Sequence, residues 1–253
     1  MHASSSSTSR ATLMPMLLKF ERRGRLGDED RKALLALPHT VRRMAAGLHI
    51  IRDGDKPDFC SVLLSGFAFR HKITGEGGRQ VIAIHMAGDF VDLQNSLLAV
   101  SDHNVQMLTD GEVAFVPKDA IRKIAVARPA VGMAMWTDTM IDAAIFREWV
   151  VNVGRRDARA RIAHMLCEFS MRLEAAGLAR DHRYELPMTQ EQLADAVGLT
   201  SVHVNRVLRQ LGEEGLISRN KRSVVIESWG RIRQVGDFNE RYLHHDAAAA
   251  ALP

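Results

Sequence analysis

The spacing of apolar positions changes twice along the chain. From His39 to about Val116 they come in short runs broken by turn residues: LHII, RDGDKPD, FCSVLLSGFAFRHKI, TGEGG, RQVIAIHM, AGD, and later VQML, TDG and EVAFVP. Short β-rich runs with Gly and Asp punctuation predict a sandwich or β-roll. TGEGG predicts a tight hairpin, because glycine takes positive φ freely. Pro117 ends the last run, and a helical stretch starts near Lys118. A second begins after Pro129, since proline is tolerated in a first turn. AVGMAMWTDTMIDAAIFREWVVNV then carries one glycine and no proline, about 25 residues or roughly 37 Å of helix.

On a helical wheel Trp136, Met140, Ala143, Ala144, Phe146, Val150 and Val151 form a broad apolar sector, and Ile141, Ile145 and Trp149 a second. A helix apolar on most sides must be covered on most sides. It is either a core helix of one domain or a helix between the β domain and a second copy of the chain. The second reading is preferred, with Trp136, Met140, Ala143, Phe146 and Val150 at the dimer contact.

The flanks complete the outline. MHASSSSTSR reads as a disordered arm over 1–12. In LMPMLLKFERRGRLGDEDRKALLAL, Asp28 is expected to cap a short helix that turns Leu34, Leu35 and Leu37 inward. NVGRRD breaks the long helix, with Gly154 as hinge and Asp157 as N-cap of ARARIAHMLCEFSMRLEAAG, which Gly177 closes. The expected divisions are 13–127 for the β-roll, 128–153 for the long helix, 154–230 for a further domain and 231–253 for an extension.

That further domain holds TQEQLADAVGLTSVHVNRVLRQLGEEGLI, starting at Thr189. Thr189 and Gln192 are spaced as a capping box. Gly198 permits a tight turn, and Thr200 caps a second helix. Gln190, Ala194, Gly198 and Val204 match a helix-turn-helix pattern. Leu193, Val197, Leu199, Leu208 and Leu211 complete its inner face. Val202, Asn205, Arg206 and Arg209 are left outside at i, i+3, i+4 and i+7, with Ser201 beside them and His203 at the edge. In this geometry the second helix enters a DNA major groove, where Arg reads guanine and Asn reads adenine. His203 and Arg209 have ordinary readings too, as a phosphate contact or cap partner and as a solvated charge. LISR and SVVIE, joined by NKR, alternate as a hairpin wing. Arg219, Lys221 and Arg222 lie at its tip, placed to meet phosphates. The candidate DNA contacts are Thr189, Gln190, Thr200, Ser201, Val202, His203, Asn205, Arg206, Arg209, Lys221 and Arg222.

YELPMTQEQLADAVGLTSVHVNRVLRQLGEEGLI, residues 184–217, resembles the Crp/Fnr family of bacterial transcription regulators. DGD (53–55), LLSG (63–66) and AGDFVDL (87–93) look like the family's β-roll turns. The resemblance implies an α+β chain: an N-terminal double-stranded β-helix (jelly-roll) sensor domain, similar to cyclic-nucleotide-binding domains, a long dimerisation helix and a C-terminal winged helix-turn-helix. It also implies a homodimer on a two-fold-symmetric DNA site, contacting RNA polymerase. Arg206 matches the family's guanine-reading arginine. Val202 stands where the family usually has Glu, and Ser201 where the cyclic-AMP branch often has Arg, so the half-site is expected to differ from that of the best-known members.

Charge, cysteines and titratable groups narrow the rest. The net charge is +4 with pI near 9.3. It is spread evenly, 19 Lys/Arg against 17 Asp/Glu in 1–153 and 15 against 13 in 154–253, so any basic patch is local. Cys60 and Cys167 stand far apart, which excludes a disulfide framework, a zinc ribbon or a four-Cys cluster within one chain and suits free thiols in a reducing cytoplasm. Nothing reaches 18 consecutive apolar residues, so no membrane span is expected. An effector pocket is expected around Gly88, Asp89, Phe90, Val91 and Asp92. Asp89 replaces the Glu of the family's phosphate cassette, and no Arg or Lys lies between Arg79 and Lys118. A buried phosphate without a cation is hard to stabilise, which argues against cyclic AMP. The late first cysteine argues against iron–sulfur sensing. Haem on His71, His85 or His103, another small ligand, or no ligand stay open, and no metal ligands or catalytic residues are assigned. A metal-dependent enzyme would need a His-x-His pair, and IHMAGDF offers only His85, so no enzyme is expected. The alternative is a nucleotide- or haem-responsive module acting mainly through protein partners.

Overall fold

The structure is a computed structural model that describes residues 13–245. The arm expected over 1–12 and the end of the extension lie outside the described residues. The chain divides into two compact units. Among the described residues, one comprises 13–72 and 83–142, and the other Ile73–Ile82 and Ala143–His245.

The first unit opens with α1 (Met14–Glu21) and α2 (Asp28–Leu35). Gly27, not Asp28, is the N-cap of α2, and its N–H donates to Asp30 Oδ2 at 3.1 Å. Asp28 sits one position inside and takes a hydrogen bond from Arg31. Seven strands follow: β1 (Thr40–Met44), β2 (His49–Ile51), β3 (Phe59–Ser65), β4 (Phe67–Ile73), β5 (Arg79–Met86), β6 (Asn104–Met107) and β7 (Gly111–Pro117). They make two sheets, ordered β1-β7-β3 and β2-β6-β4-β5.

Strand alternation sets two apolar layers. Leu63, Val113 and Phe115 join Ile51, Ala68, Val105 and Met107 in a core shared by both sheets. The opposite faces of β3 and β7, Cys60, Val62, Leu64, Ala114 and Val116, pack with Met16, Phe20 and Leu34 of α1 and α2. Ile121 and Ile124 of α3 (Lys118–Ala127) and Val131 and Ala134 of α4 (Pro129–Arg155) join that second layer.

The long helix α4 runs Pro129–Arg155. Proline opens it as expected, but it continues through Gly154 and breaks only at Arg156. A helix passing through one glycine loses only about 1 kcal/mol relative to alanine there, so Gly154 is a weak link and not a stop.

The second unit contains α5 (Ala158–Ala175), β8 (Arg183–Glu185), α6 (Gln190–Val197), α7 (Ser201–Glu213), β9 (Ile217–Asn220), β10 (Ser223–Ile226) and α8 (Trp229–Val235). Asp157 caps α5, accepting from Ala160 N at 2.8 Å. The sheet is β8-β10-β9, so the wing hairpin gains a third strand that the sequence reading did not foresee. Three residues are too few for a periodic signal. Within this unit Glu168 on α5 is buried yet fully engaged. Its oxygens accept from Trp149 Nε1, Arg172 and Tyr242 Oη. That network anchors the segment after α8, where Phe238 and Leu243 are buried. Among the described residues no helix is long and apolar enough to cross a membrane.

Candidate nucleic-acid interface

Helices α6 and α7 are shaped by their own termini. Thr189 Oγ1 accepts from Gln192 N at 3.2 Å, while Gln192 Oε1 accepts from Thr189 N at 2.9 Å. This reciprocal cap satisfies two donors at the start of α6. Gly198 ends α6 at φ 65°, the left-handed conformation a side chain would strain. Thr200 then caps α7, accepting from the His203 backbone N–H at 3.2 Å.

The inner face of α7 is Val204, Val207, Leu208 and Leu211, all buried. Val207 belongs to it beyond the expected inner-face residues; it shares the helical phase of Val204 and Leu211. Leu193 and Val197 of α6 are buried as expected, and Leu199 is half-buried. The outer face exposes Ser201, Val202, Asn205, Arg206 and Arg209. Val202 is 80% exposed, a high figure for an apolar residue. His203 is half-buried at the edge. Gln190 Nε2 lies 3.4 Å from Asn205 Oδ1, bringing two candidate contacts together across the turn. Arg209 lies 3.8 Å from Glu213 one turn on. Lys221 and Arg222 are exposed at the wing tip, Lys221 with φ 53°.

The outer face thus carries two guanidinium groups, an amide, a hydroxyl and an apolar side chain, with no acid before Glu213. Such a surface can approach phosphates and hydrogen-bond base edges.

Two family models match the chain, one to each end. Residues 41–127 match the cyclic nucleotide-binding domain and residues 160–235 the Crp-like helix-turn-helix domain. The transcriptional activator protein FnrL of Cereibacter sphaeroides is 28% identical over 84% of this chain and 87% of that protein. The chain belongs to the Crp/Fnr family. The nitrogen fixation regulation protein FixK of Azorhizobium caulinodans is 23% identical, over 84% of this chain and 86% of that one. The solved structure of FixK2 from Bradyrhizobium japonicum superposes with a TM-score of 0.73 at 24% identity, covering 79% of this chain and 98% of that one. This Crp/Fnr chain is accordingly a DNA-binding transcription regulator, and its fold is the β-roll, long helix and winged helix of that family.

The loop expected to hold an effector is occupied by the regulator's own packing. Gly88 sits at φ 96°, where a Cβ would lie 2.6 Å from Pro15 O. Asp89 accepts from Met86 N and pairs with Lys19 at 2.9 Å. Phe90 stacks on Phe20 in the helix-side core, whereas Val91 points into the core between the sheets. Asp92 accepts from Ser61 N and from Ser61 Oγ at 2.9 Å. The five residues are adjacent in sequence, but extended backbone sends Phe90 and Val91 to opposite layers.

The cation that this loop lacks comes from β4. Arg70 Nη2 donates to Val91 O at 2.9 Å. The window between Arg79 and Lys118 hid it, although the pattern FAFRHKI put Arg70 in phase with the buried Ala68. His71, His85 and His103 are all buried. Among the described residues no three His, Cys, Asp or Glu side chains are grouped to hold a metal ion. Cys60 and Cys167 are buried, and burial pushes both thiols above their ordinary range, which makes them poor nucleophiles.

Burial also pushes the Asp92 carboxyl up to about 7, against the opposing hydrogen bonds from Ser61. Its folded value lies above the unfolded one, so its contribution to stability is full below about pH 4 and is lost as pH rises to about 7. Asp92→Asn removes this titration. Urea unfolding should therefore show the wild type losing stability relative to the variant by a few kcal/mol between about pH 4 and pH 8. A difference independent of pH would contradict the assignment.

Proposed function

We propose that the chain acts as a homodimer in the cytoplasm, on a two-fold-symmetric DNA site. Helix α4 makes the dimer contact through Trp136, Met140, Ala143, Phe146 and Val150. Ser201, Val202, Asn205 and Arg206 face bases. Thr189, Gln190, Thr200, His203, Arg209, Lys221 and Arg222 meet the backbone and fix the register, the division of labour usual at such interfaces. Bound dimers contact RNA polymerase, and no step is catalytic. Cyclic AMP is not the effector, because the guanidinium that reaches the loop, Arg70, is already paired with Asp142.

The observation carrying this reading is the outer face of α7, where Asn205 and Arg206 are exposed above a fully buried apolar seam. Selection of bound sites from random DNA tests it. The expected product is an inverted repeat whose half-sites lie about one helical turn apart, roughly 34 Å, with a guanine at the Arg206 position. Recovery of unrelated sequences without dyad symmetry would overturn the reading.

A further inference from the structure

Arg70 stands at the centre of a buried polar cluster in the first unit. Its side chain is 15% exposed, and Nη1 donates to Asp142 Oδ2 on α4 at 3.0 Å. Nη2 is taken by Val91 O, and Nε is buried with no partner. His85 on β5 is 3% exposed. Its Nδ1 lies 3.5 Å from Asp89 Oδ2, while Nε2 is buried without a partner. His103 shares Nδ1 with Asp102 at 2.7 Å, and its Nε2 lies 3.2 Å from Gln94. Burial first, then the Arg70 charge, lower the His103 imidazole. At His85 burial and Arg70 lower it against the pull of Asp89. The neighbouring cations are committed elsewhere: Lys19 to Asp89 and Asp138, Arg23 to Asp138.

A guanidinium this far from water needs a counter-charge. The chain provides one. Desolvation opposes ionisation of Asp142, but the charge and hydrogen bond of Arg70, with the charges of His85 and Lys19, together hold the carboxyl below its ordinary range. The Asp142 side chain is also 44% exposed, so solvent reaches the anion side of the pair.

We infer that Asp142 is a built-in anion for an oxyanion site centred on Arg70, tying β4 to α4 so that operator binding needs no added anionic effector. Asp142 satisfies one Nη only. Nε of Arg70 remains a spare donor. His85, with Nδ1–H turned to Asp89, has a spare acceptor at Nε2. Removing the Asp142 carboxylate frees Nη1, and should leave a guanidinium able to take free phosphate in its place.

The inference deepens the proposed function and rests on it only for the DNA-binding readout. The test uses the full chain with inorganic phosphate as probe and chloride at matched ionic strength as control. Asp142→Ala should weaken operator binding at least tenfold, and millimolar phosphate should restore it. Asp142→Glu, which keeps the carboxylate, should stay near wild type. Calorimetry should detect phosphate binding to Asp142→Ala, but neither to the wild type nor to Arg70→Ala/Asp142→Ala. Wild-type operator affinity in Asp142→Ala, or a weakened variant that phosphate neither binds nor restores, would overturn the inference. A wild type that binds no DNA would instead sink the proposed function, while the calorimetric comparison would still judge the site.

Discussion

Arg206→Ala is expected to reduce operator affinity by about 1–3 kcal/mol at each half-site, the range for one bidentate arginine–guanine pair. A two-fold site carries two such pairs, so the loss is roughly 2–6 kcal/mol, about 30-fold to 10⁴-fold. Specific complexes exceed non-specific ones by about 10³–10⁷, so the upper end of that loss brings the variant close to background. The fold should be unaffected. Arg206 lies on the exposed face, while Val204, Val207, Leu208 and Leu211 beneath it hold α7 in place. Gel-shift titration against a selected site, with circular dichroism on the same samples, checks both halves of the statement. Undiminished binding would show that another face of the domain enters the groove. Arg209→Ala is the internal comparison. Arg209 already has Glu213 one turn away, and its removal should cost less and weaken all sequences alike.

The winged helix was legible because its signals are local. The cap pair Thr189–Gln192, the left-handed turn at Gly198 and the buried positions of α7 all lie within about two turns of their partners. Local physics dictates them, and spacing alone reveals them. The β-roll was legible at the level of short runs and turns, whereas the two faces of β3 and β7 emerge only in the structure. The sensor cluster was not. Arg70 meets Val91 and Asp142 across 21 and 72 positions of chain. The loop's own residues carry no trace of a guanidinium delivered to it by strand pairing. The long helix breaks at Arg156, within NVGRRD but two residues past Gly154, for a different reason. Gly154 looked like a break because glycine weakens a helix, but one weak position does not outweigh the packing of Trp149 and Asn152, both buried on α4.

Replacing Trp136 and Phe146 of α4 by glutamate should convert the proposed dimer to monomer and remove most operator binding. Both side chains are exposed in the single chain, Trp136 at 60%, and Met133, Met140, Val150 and Val151 are exposed with them. At 3.6 residues per turn these six fall within about 140° of the helix circumference, while Val131, Ala134, Ile141, Ala144 and Trp149 are buried on the remainder. An exposed row of large apolar side chains on one helix face marks an interaction surface. A two-fold contact brings the same patch of each copy together. Glutamates placed there would face their own counterparts, so each substitution is felt twice, through lost apolar burial and through like-charge repulsion. Because neither residue is packed within its own chain, helix content and unfolding of the protomer should change little. DNA affinity should fall far more, since a monomer grips one half-site and forfeits the roughly 10²–10⁴-fold gain of joined binding. Analytical ultracentrifugation and gel shift on the double variant read the two effects separately. A variant that stays dimeric would move the contact off this face of α4. One that becomes monomeric yet binds a full site with wild-type affinity would break the link between α4 and DNA recognition.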